Sequence, residues 1–417
     1  MKTIKMKDSG IEWIGQIPEE VSLGRIKFLV SFIKGKIPKE TNTDGIGLPY
    51  IGASEMAGKK YKLYTTDDIP QCCPSDILVL WDGAKAGLVA TNLTGVVSST
   101  VVRLSALNDF VNPKYLFYLL KYSENYFQDR VNGTTIPHMS FDYIDDIPFI
   151  NFRVSIQQKI ANFLDVKCAE IDKLIANQQE QIDKLKEYKQ SVITEAVTKG
   201  LDPTVPMKDS GIEWIGQIPQ GWVMTRIKNI CTLNPTQNKC DSSIDIVSYL
   251  PMECVKNGYI INREIDVKSV PTGLTWFIEN DIIMAKVTPC FENGNIAIAQ
   301  GLTNKIGCGS SELFVFRPKE VVGKFLLYLL QNRIFTEHAK STMNGTGGLK
   351  RVSPSFVKNF PFALPSTETQ QQIADYLDDK CGKIDQLIAI KQQKIDKLQQ
   401  HKKSLIYEYV TGKKEII

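Results

Sequence analysis

Histidine is scarce in this chain: His138, His338 and His401 are the only three among 417 residues. So few imidazoles leave little capacity for acid–base catalysis near neutral pH or for binding a metal. The nine cysteines do not make up the deficit. Cys72, Cys73, Cys168, Cys231, Cys240, Cys254, Cys290, Cys308 and Cys381 never stand as Cys-x-x-Cys, which argues against both a zinc site and a disulfide framework. They read as reduced, mostly buried thiols. Long apolar runs are missing too: the stretch 326–330 is far too short to span a bilayer. The charged N-terminus has no apolar segment behind it, unlike a secretory signal. The chain reads as cytoplasmic, with no membrane contact.

Catalytic signatures are missing as well. Gly35-Lys36 and Gly58-Lys59 lack both the preceding glycine and the following hydroxyl of a phosphate-binding loop. No Gly-x-Gly-x-x-Gly follows a strand, and no Gly-x-Ser-x-Gly is present. Asn234-Pro235-Thr236 lacks the second proline and the aromatic of an adenine-methyltransferase loop and reads as a turn. Asp145 and Asp146 read as a helix cap or a loop pair. A net charge of +4 permits nucleic-acid binding without arguing for it. The composition is that of a globular binder.

What the chain does have is repetition. The thirteen residues from Met6 to Pro18 recur unchanged from Met207 to Pro219, so the protein is built from two related halves. A second match pairs Gln158-Lys-Ile-Ala-Asn-Phe-Leu-Asp165 with Gln371-Gln-Ile-Ala-Asp-Tyr-Leu-Asp378 and brings Cys168 onto Cys381. Both ends of each half are alike, whereas the middles differ in length and in most residues.

The later matched segments read as long helices. From 156 to 198 there is neither proline nor glycine, and apolar residues fall three and four apart. Ser155-x-x-Gln158 fits a capping box at the start. A helix of about 40 residues runs roughly 60 Å at 1.5 Å per residue, and one narrow apolar stripe over that length suits a coiled-coil seam. Ile171, Leu174, Ile182 and Leu185 are assigned to that seam or to a partner surface, with Ile384, Leu387, Ile395 and Leu398 in the second copy. Antiparallel pairing of the two helices is expected. Gly200 and two prolines mark a linker at 201–206. The resulting partition is 1–154, a long helix at 155–200, the linker, 207–365, and a C-terminal long helix at 366–417.

The middles read as mixed strand and helix, giving an α+β fold class of two α/β domains joined by two long helices. Strands are expected at 76–81, 98–103, 281–286 and 310–316, and short helices at 112–120 and 323–330. Phosphate and base contacts need cations and flexible glycine-bearing loops. Candidate DNA-binding residues are therefore Lys34, Lys36, Lys39, Lys59, Lys60 and Lys62, then Asn132, Thr134, Thr135 and His138 in one loop. The equivalent loop offers Asn344, Thr346, Lys350 and Arg351. Trp13 and Trp214 lie in the identical repeat and so cannot distinguish two sequences. They are assigned to anchoring the coiled coil or a partner.

The arrangement resembles the specificity subunit of type I restriction–modification systems. The resemblance rests on the Lys-Asp-Ser-Gly-Ile-Glu-Trp-Ile-Gly-Gln-Ile-Pro opening of each half, followed in the second by Gln220-Gly221-Trp222, and on the matched helix starts with Ile171-Asp-Lys-Leu-Ile175 and Ile384-Asp-Gln-Leu-Ile388. The first half departs from it at Glu19-Glu20-Val21, where the aromatic is absent. The resemblance implies two target recognition domains, each reading one half of a bipartite DNA sequence, and an antiparallel coiled coil that spaces them. It implies no catalysis by the chain itself. Two modification subunits would use S-adenosylmethionine to methylate adenine N6, and restriction subunits would use ATP and Mg²⁺, with no cofactor or metal bound by this chain. Two other readings stay open on the residues alone: a stand-alone DNA-processing enzyme, and a coiled-coil scaffold without a DNA role.

Overall fold

The computed structural model describes residues 5–131, 137–236, 243–346 and 348–415. The chain forms two compact units, one of residues 1–179 with 393–417 and one of residues 180–392. The division falls inside both long helices, whereas the sequence-based partition kept each helix whole. Each unit therefore holds one repeat body, the beginning of the helix that follows it, and the end of the other helix.

The identical segments fold identically. Met6–Asp8 pairs antiparallel with Gln16–Pro18, and Met207–Asp209 pairs with Gln217–Pro219 in the same register. The turns match bond for bond. Ser9 N–H donates to the Gly15 carbonyl and Gly10 N–H to the Asp8 carboxylate, as Ser210 does to Gly216 and Gly211 to Asp209. Gly10 and Gly15 sit at φ of +73° and +67°, where a side chain would be strained.

The unit bodies share one sheet plan. In the first, an antiparallel sheet runs in the order Val30–Lys34, Val101–Ala106, Ile77–Leu80, Val89–Thr91. In the second, Cys231–Leu233, Leu313–Pro318, Ile282–Ala285 and Ile296–Ile298 take the same order. The run Ile77–Leu80 is wholly buried, as is Ile282–Ala285, which suits the unbroken apolar sequence of each. A second four-stranded sheet stands beside each, with one parallel pair: Leu48–Ile51 against Gly95–Val97, and Ile246–Leu250 against Ile306–Gly309. The expected strands at 98–103 and 310–316 lie a few residues later than their sequence reading. The turn bonds Val101 N to Ser98 O and Leu313 N to Ser310 O hold back their starts.

Helix docking is also duplicated. Pro113–Tyr122, capped by the Asn112 side chain, places Tyr118 so that its hydroxyl donates to Asp165 Oδ1 over 2.8 Å. Gly323–Gln331 places Tyr328 on Asp378 over the same 2.8 Å. Burial first, and then the neighbouring carboxylate, push both phenols well above their ordinary range, so they stay protonated donors. Gln157 and Gln370, each 1 % exposed, lock the same joint by accepting from the backbone N–H of Asn112 and Val322.

The central helix spans Val154–Lys199 and the C-terminal helix Thr367–Val410. In the first unit Phe163 packs on Tyr409 and Lys402 bonds Asp172. In the second, Lys391 bonds Gln181, and Lys189 bonds Asp385 at 2.7 Å. Within each unit, residue numbers rise along one helix as they fall along the other, so the pairing is antiparallel. Leu164, Cys168, Ile171, Ile175, Gln178, Ile182 and Leu185 are buried or half-buried at alternating spacings of four and three. Leu377, Cys381, Ile384, Ile388, Lys391, Ile395 and Leu398 keep the same rhythm.

The seam part of two assignments is corrected by that rhythm. Leu174 and Leu387 are each 47 % exposed, because the heptad selects their neighbours Ile175 and Ile388. The capping box is corrected too. Ser155 lies inside the first turn, while Gln158 bonds Asn112 and Asn162 instead. The C-terminal helix does carry a serine cap, with Ser366 Oγ accepting from Thr369 N–H. Among the described residues no helix is long and apolar enough to cross a membrane.

Candidate nucleic-acid interface

Sheet geometry brings charged residues together at one end of the first antiparallel sheet. Lys34 stands opposite Val102, and Leu80 opposite Val101, so the ends of two strands meet the turn at 98–100. Beyond Leu80 the chain continues extended. Met139 N–H donates to the Trp81 carbonyl at 2.9 Å, Asp82 bridges His138, and Gly83 N–H donates to Pro137. The Asp82 carboxylate thereby meets His138 Nδ1 on one oxygen and Lys34 Nζ, at 3.6 Å, on the other. Trp81 underlies the pair, 4.4 Å from the Phe141 ring and edge-on to His138.

The second unit builds the same framework with different charges. Val352 N–H donates to Lys286 O at 2.9 Å and Val287 bridges Arg351, so Lys286 stands where Trp81 does and Arg351 where His138 does. The acid now comes from another strand. Glu312, just before Leu313–Pro318, accepts from Arg351 Nε at 2.9 Å and from Nη2 at 2.8 Å. Its matched position in the first unit is Thr100. Those charge-assisted bonds, with Lys286 adding its field against a smaller burial effect, hold the Glu312 carboxyl below its ordinary range. Lys286 donates to Ser311 O and lies 5.8 Å from the Phe314 ring centroid. Thr288 exchanges bonds with Lys350 and donates to Gly348 O, pinning the loop.

These ion pairs are partly solvated: Asp82 is 29 % exposed and Glu312 28 %. Such pairs contribute roughly 0–1 kcal/mol to stability. Their main effect is to fix where the cations point. Lysines, a guanidinium and an imidazole held on a partly solvated sheet end suit contact with phosphates and base edges.

The sequence-derived residues divide accordingly. Lys34 and His138 converge on Asp82, and Asn344 and Arg351 form a β-bridge with Lys350 adjoining. The Thr346 carbonyl accepts from Leu349 N–H within the same loop. Lys36 and Lys39 are exposed on the loop after Lys34, where Lys36 N–H donates to Val97 and Lys39 N–H to Asp67. Lys59, Lys60 and Lys62 are exposed on a separate loop, after the short helix Ala53–Met56. The Asn42–Tyr64 bridge ties these two lysine loops together. Asn132, Thr134 and Thr135 lie outside the described residues. Sequence reasoning missed Asp82, Glu312 and Lys286. Their only sequence signal was a charge placed directly beside a buried strand.

Trp13 is half-buried against Tyr122 and Tyr126, and Tyr407 donates to the Ile14 carbonyl beside it. Trp214 packs on His338 and Phe360 and stays 38 % exposed. Identical hairpins thus seat on bodies whose facing residues have diverged. Cys168 and Cys381 are buried on the long helices, and burial pushes the Cys381 thiol up to about 11 and Cys231 to about 12. Cys73 is exposed and Cys290 half-buried, while Cys240 lies outside the described residues. Among the described residues no three His, Cys, Asp or Glu side chains cluster as metal ligands.

The family model of the type I restriction modification DNA specificity domain matches this chain twice, over residues 18–187 and 219–400. The type I restriction enzyme MjaVIII specificity subunit of Methanocaldococcus jannaschii is 26% identical over 95% of this chain and 94% of its own length. The EcoAI specificity subunit of Escherichia coli is 34% identical over 190 residues, covering 44% of this chain and 32% of that protein. Among solved structures, a chain from work on complex assembly and conformational transition of the type I R-M system superposes with a TM-score of 0.64. It is 14% identical, over 94% of this chain and 98% of that one, and shows a shared fold. The chain belongs to the family of type I restriction–modification specificity subunits and carries its DNA specificity domain twice.

Proposed function

We propose that each unit reads one half of a bipartite, non-palindromic DNA target through the sheet end described above. One observation carries this reading: a single backbone framework presents Lys34, Asp82 and His138 in one unit but Lys286, Glu312 and Arg351 in the other. Two readers of the same half-site would carry the same charges, and a palindrome would need no second set. The neighbouring lysine loops supply phosphate contacts that position the duplex without specifying sequence.

The chain itself is non-catalytic and acts within a type I restriction–modification complex with DNA and other subunits. Two copies of a modification subunit would grip the two identical hairpins, because an exact repeat offers one partner the same surface twice. S-adenosylmethionine would be held by those subunits, and ATP and Mg²⁺ by restriction subunits, in the cytoplasm. The modification subunit would flip its target adenine out of the stack while this chain reads the bases around it.

Mapping modified adenines in the host genome, with and without this gene, tests the reading. The expected motif has two short half-sites separated by a fixed spacer of arbitrary sequence. A single contiguous motif, or an unchanged methylome on deletion, would overturn it.

A further inference from the structure

Arg351 is held more rigidly than phosphate binding requires. Its backbone is fixed on both sides, with Arg351 N–H donating to Asn344 O at 2.9 Å, Asn344 N–H returning the bond at 3.1 Å, and Val287 bridging opposite. Its guanidinium is fixed through one edge. Glu312 takes Nε and Nη2, which are the donors on the side of the planar fork. The opposite end, Nη1 with the second N–H of Nη2, is the edge left for a ligand. Arg351 is 47 % exposed, so this edge can reach one. Two parallel N–H donors on a planar fork match the O6 and N7 acceptors that only guanine presents together in the major groove. A phosphate would be served as well by a mobile lysine, without the carboxylate that here lowers the local positive charge.

We infer that Arg351 is a specificity-determining residue that reads a guanine in the second unit's half-site, with Glu312 as its positioning residue. This rests on the DNA-reading role proposed above for the sheet end. It also fixes the relation of the two units: at the matched position the first unit presents the shorter His138, oriented by Asp82, which lacks a bidentate fork. The two half-sites must therefore differ at this point of contact.

The test uses the complete complex with its modification subunits and sequences the methylated motif for wild type, Arg351→Lys, Arg351→Ala and Glu312→Gln. The wild-type motif should contain a G·C pair in one half-site. Arg351→Ala should relax that one position, with discrimination falling roughly 5- to 150-fold, and leave the other half-site intact. Arg351→Lys should relax it partly. Glu312→Gln should relax the same position while duplex affinity holds or rises, because a negative charge has been removed. An unchanged motif with uniformly weaker binding in Arg351→Ala would overturn the inference and make Arg351 a phosphate contact. Absence of G·C from both half-sites would overturn it as well. Should Arg351→Ala fail to assemble, Glu312→Gln decides: an unaltered motif refutes the pairing. A wild-type complex with no bipartite motif would instead sink the reading on which the inference rests.

Discussion

Replacing Asp281 by alanine removes an acceptor shared by a guanidinium and a backbone amide at the entrance to a core strand. The Asp281 side chain is 2 % exposed and accepts from Arg317 Nε at 2.8 Å, from Nη2 at 2.7 Å, and from Ile278 N–H at 2.9 Å. Stranding the buried Asp281 carboxylate, as Arg317→Ala does, costs roughly 3–5 kcal/mol, which in a unit of this size lowers the melting temperature by about 6–20 °C; Asp281→Ala, which leaves a guanidinium 29 % exposed, costs less. The first unit supplies a neutral control in the same turn. Asp76 accepts from Cys73 N–H at 2.9 Å and from Ser105 Oγ at 2.5 Å, and its loss should cost about 1–3 kcal/mol. The decisive assay is a double-mutant cycle on thermal unfolding, run at fixed partner concentration, over Asp281→Ala, Arg317→Ala and the double variant. Removing both charges should cost less than the two single losses together, with a coupling of about 1.5–3 kcal/mol, against about 1 kcal/mol or less for Asp76 with Ser105. Additivity of the Asp281 and Arg317 losses within about 0.5 kcal/mol would refute the reasoning that this charge pair organises the strand entrance.

Two other outcomes follow from burial and titration. Ile171→Ala and Ile384→Ala, at 7 % and 4 % exposure, should each cost about 2–5 kcal/mol in denaturant unfolding. Leu174→Ala and Leu387→Ala, nearly half exposed, should cost well under half as much; equal losses would show that the heptad has been misassigned. The Glu312 carboxyl is held below its ordinary value of 4.5 chiefly by Arg351. The stability it contributes is therefore fully present above that value and drains as the pH falls through its lower folded pKa. Stability measured from pH 6 down to pH 3 should accordingly fall less steeply in Glu312→Gln than in wild type, and parallel profiles would exclude the linkage.

The central helix was legible because more than forty residues without glycine or proline, with apolar residues three and four apart, admit little else, and the C-terminal helix because it repeats that pattern around a single glycine, Gly382. The duplicated hairpins were legible because an exact repeat in equivalent contexts folds alike. Leu174 was misplaced because Leu174 and Ile175 are adjacent and equally apolar, and only the heptad rhythm carried from Leu164 through Ile182 decides between them. The functional end was half visible. His138 and Arg351 stood out as polar residues beside glycine-bearing loops, but their acids lie 56 and 39 residues away. No local pattern connects Asp82 to His138, because the connection is made by a strand end that extends past its sheet and picks up the loop as an extra bridge. That Thr100 in one unit matches Glu312 in the other became visible only once both sheets were in register.

The division of both long helices between the units has a consequence in time. Residues 393–415 are translated after the entire second unit, yet they complete the first. Ile406 and Val410 are in its core, Tyr115 donates to the Val410 carbonyl, and Gly412 tucks against Pro18 and Phe152. Until those residues leave the ribosome, the earlier half carries an uncovered apolar face, and its Tyr115 hydroxyl has the Ile150 carbonyl without that of Val410. The first unit to be made is thus the last to be finished.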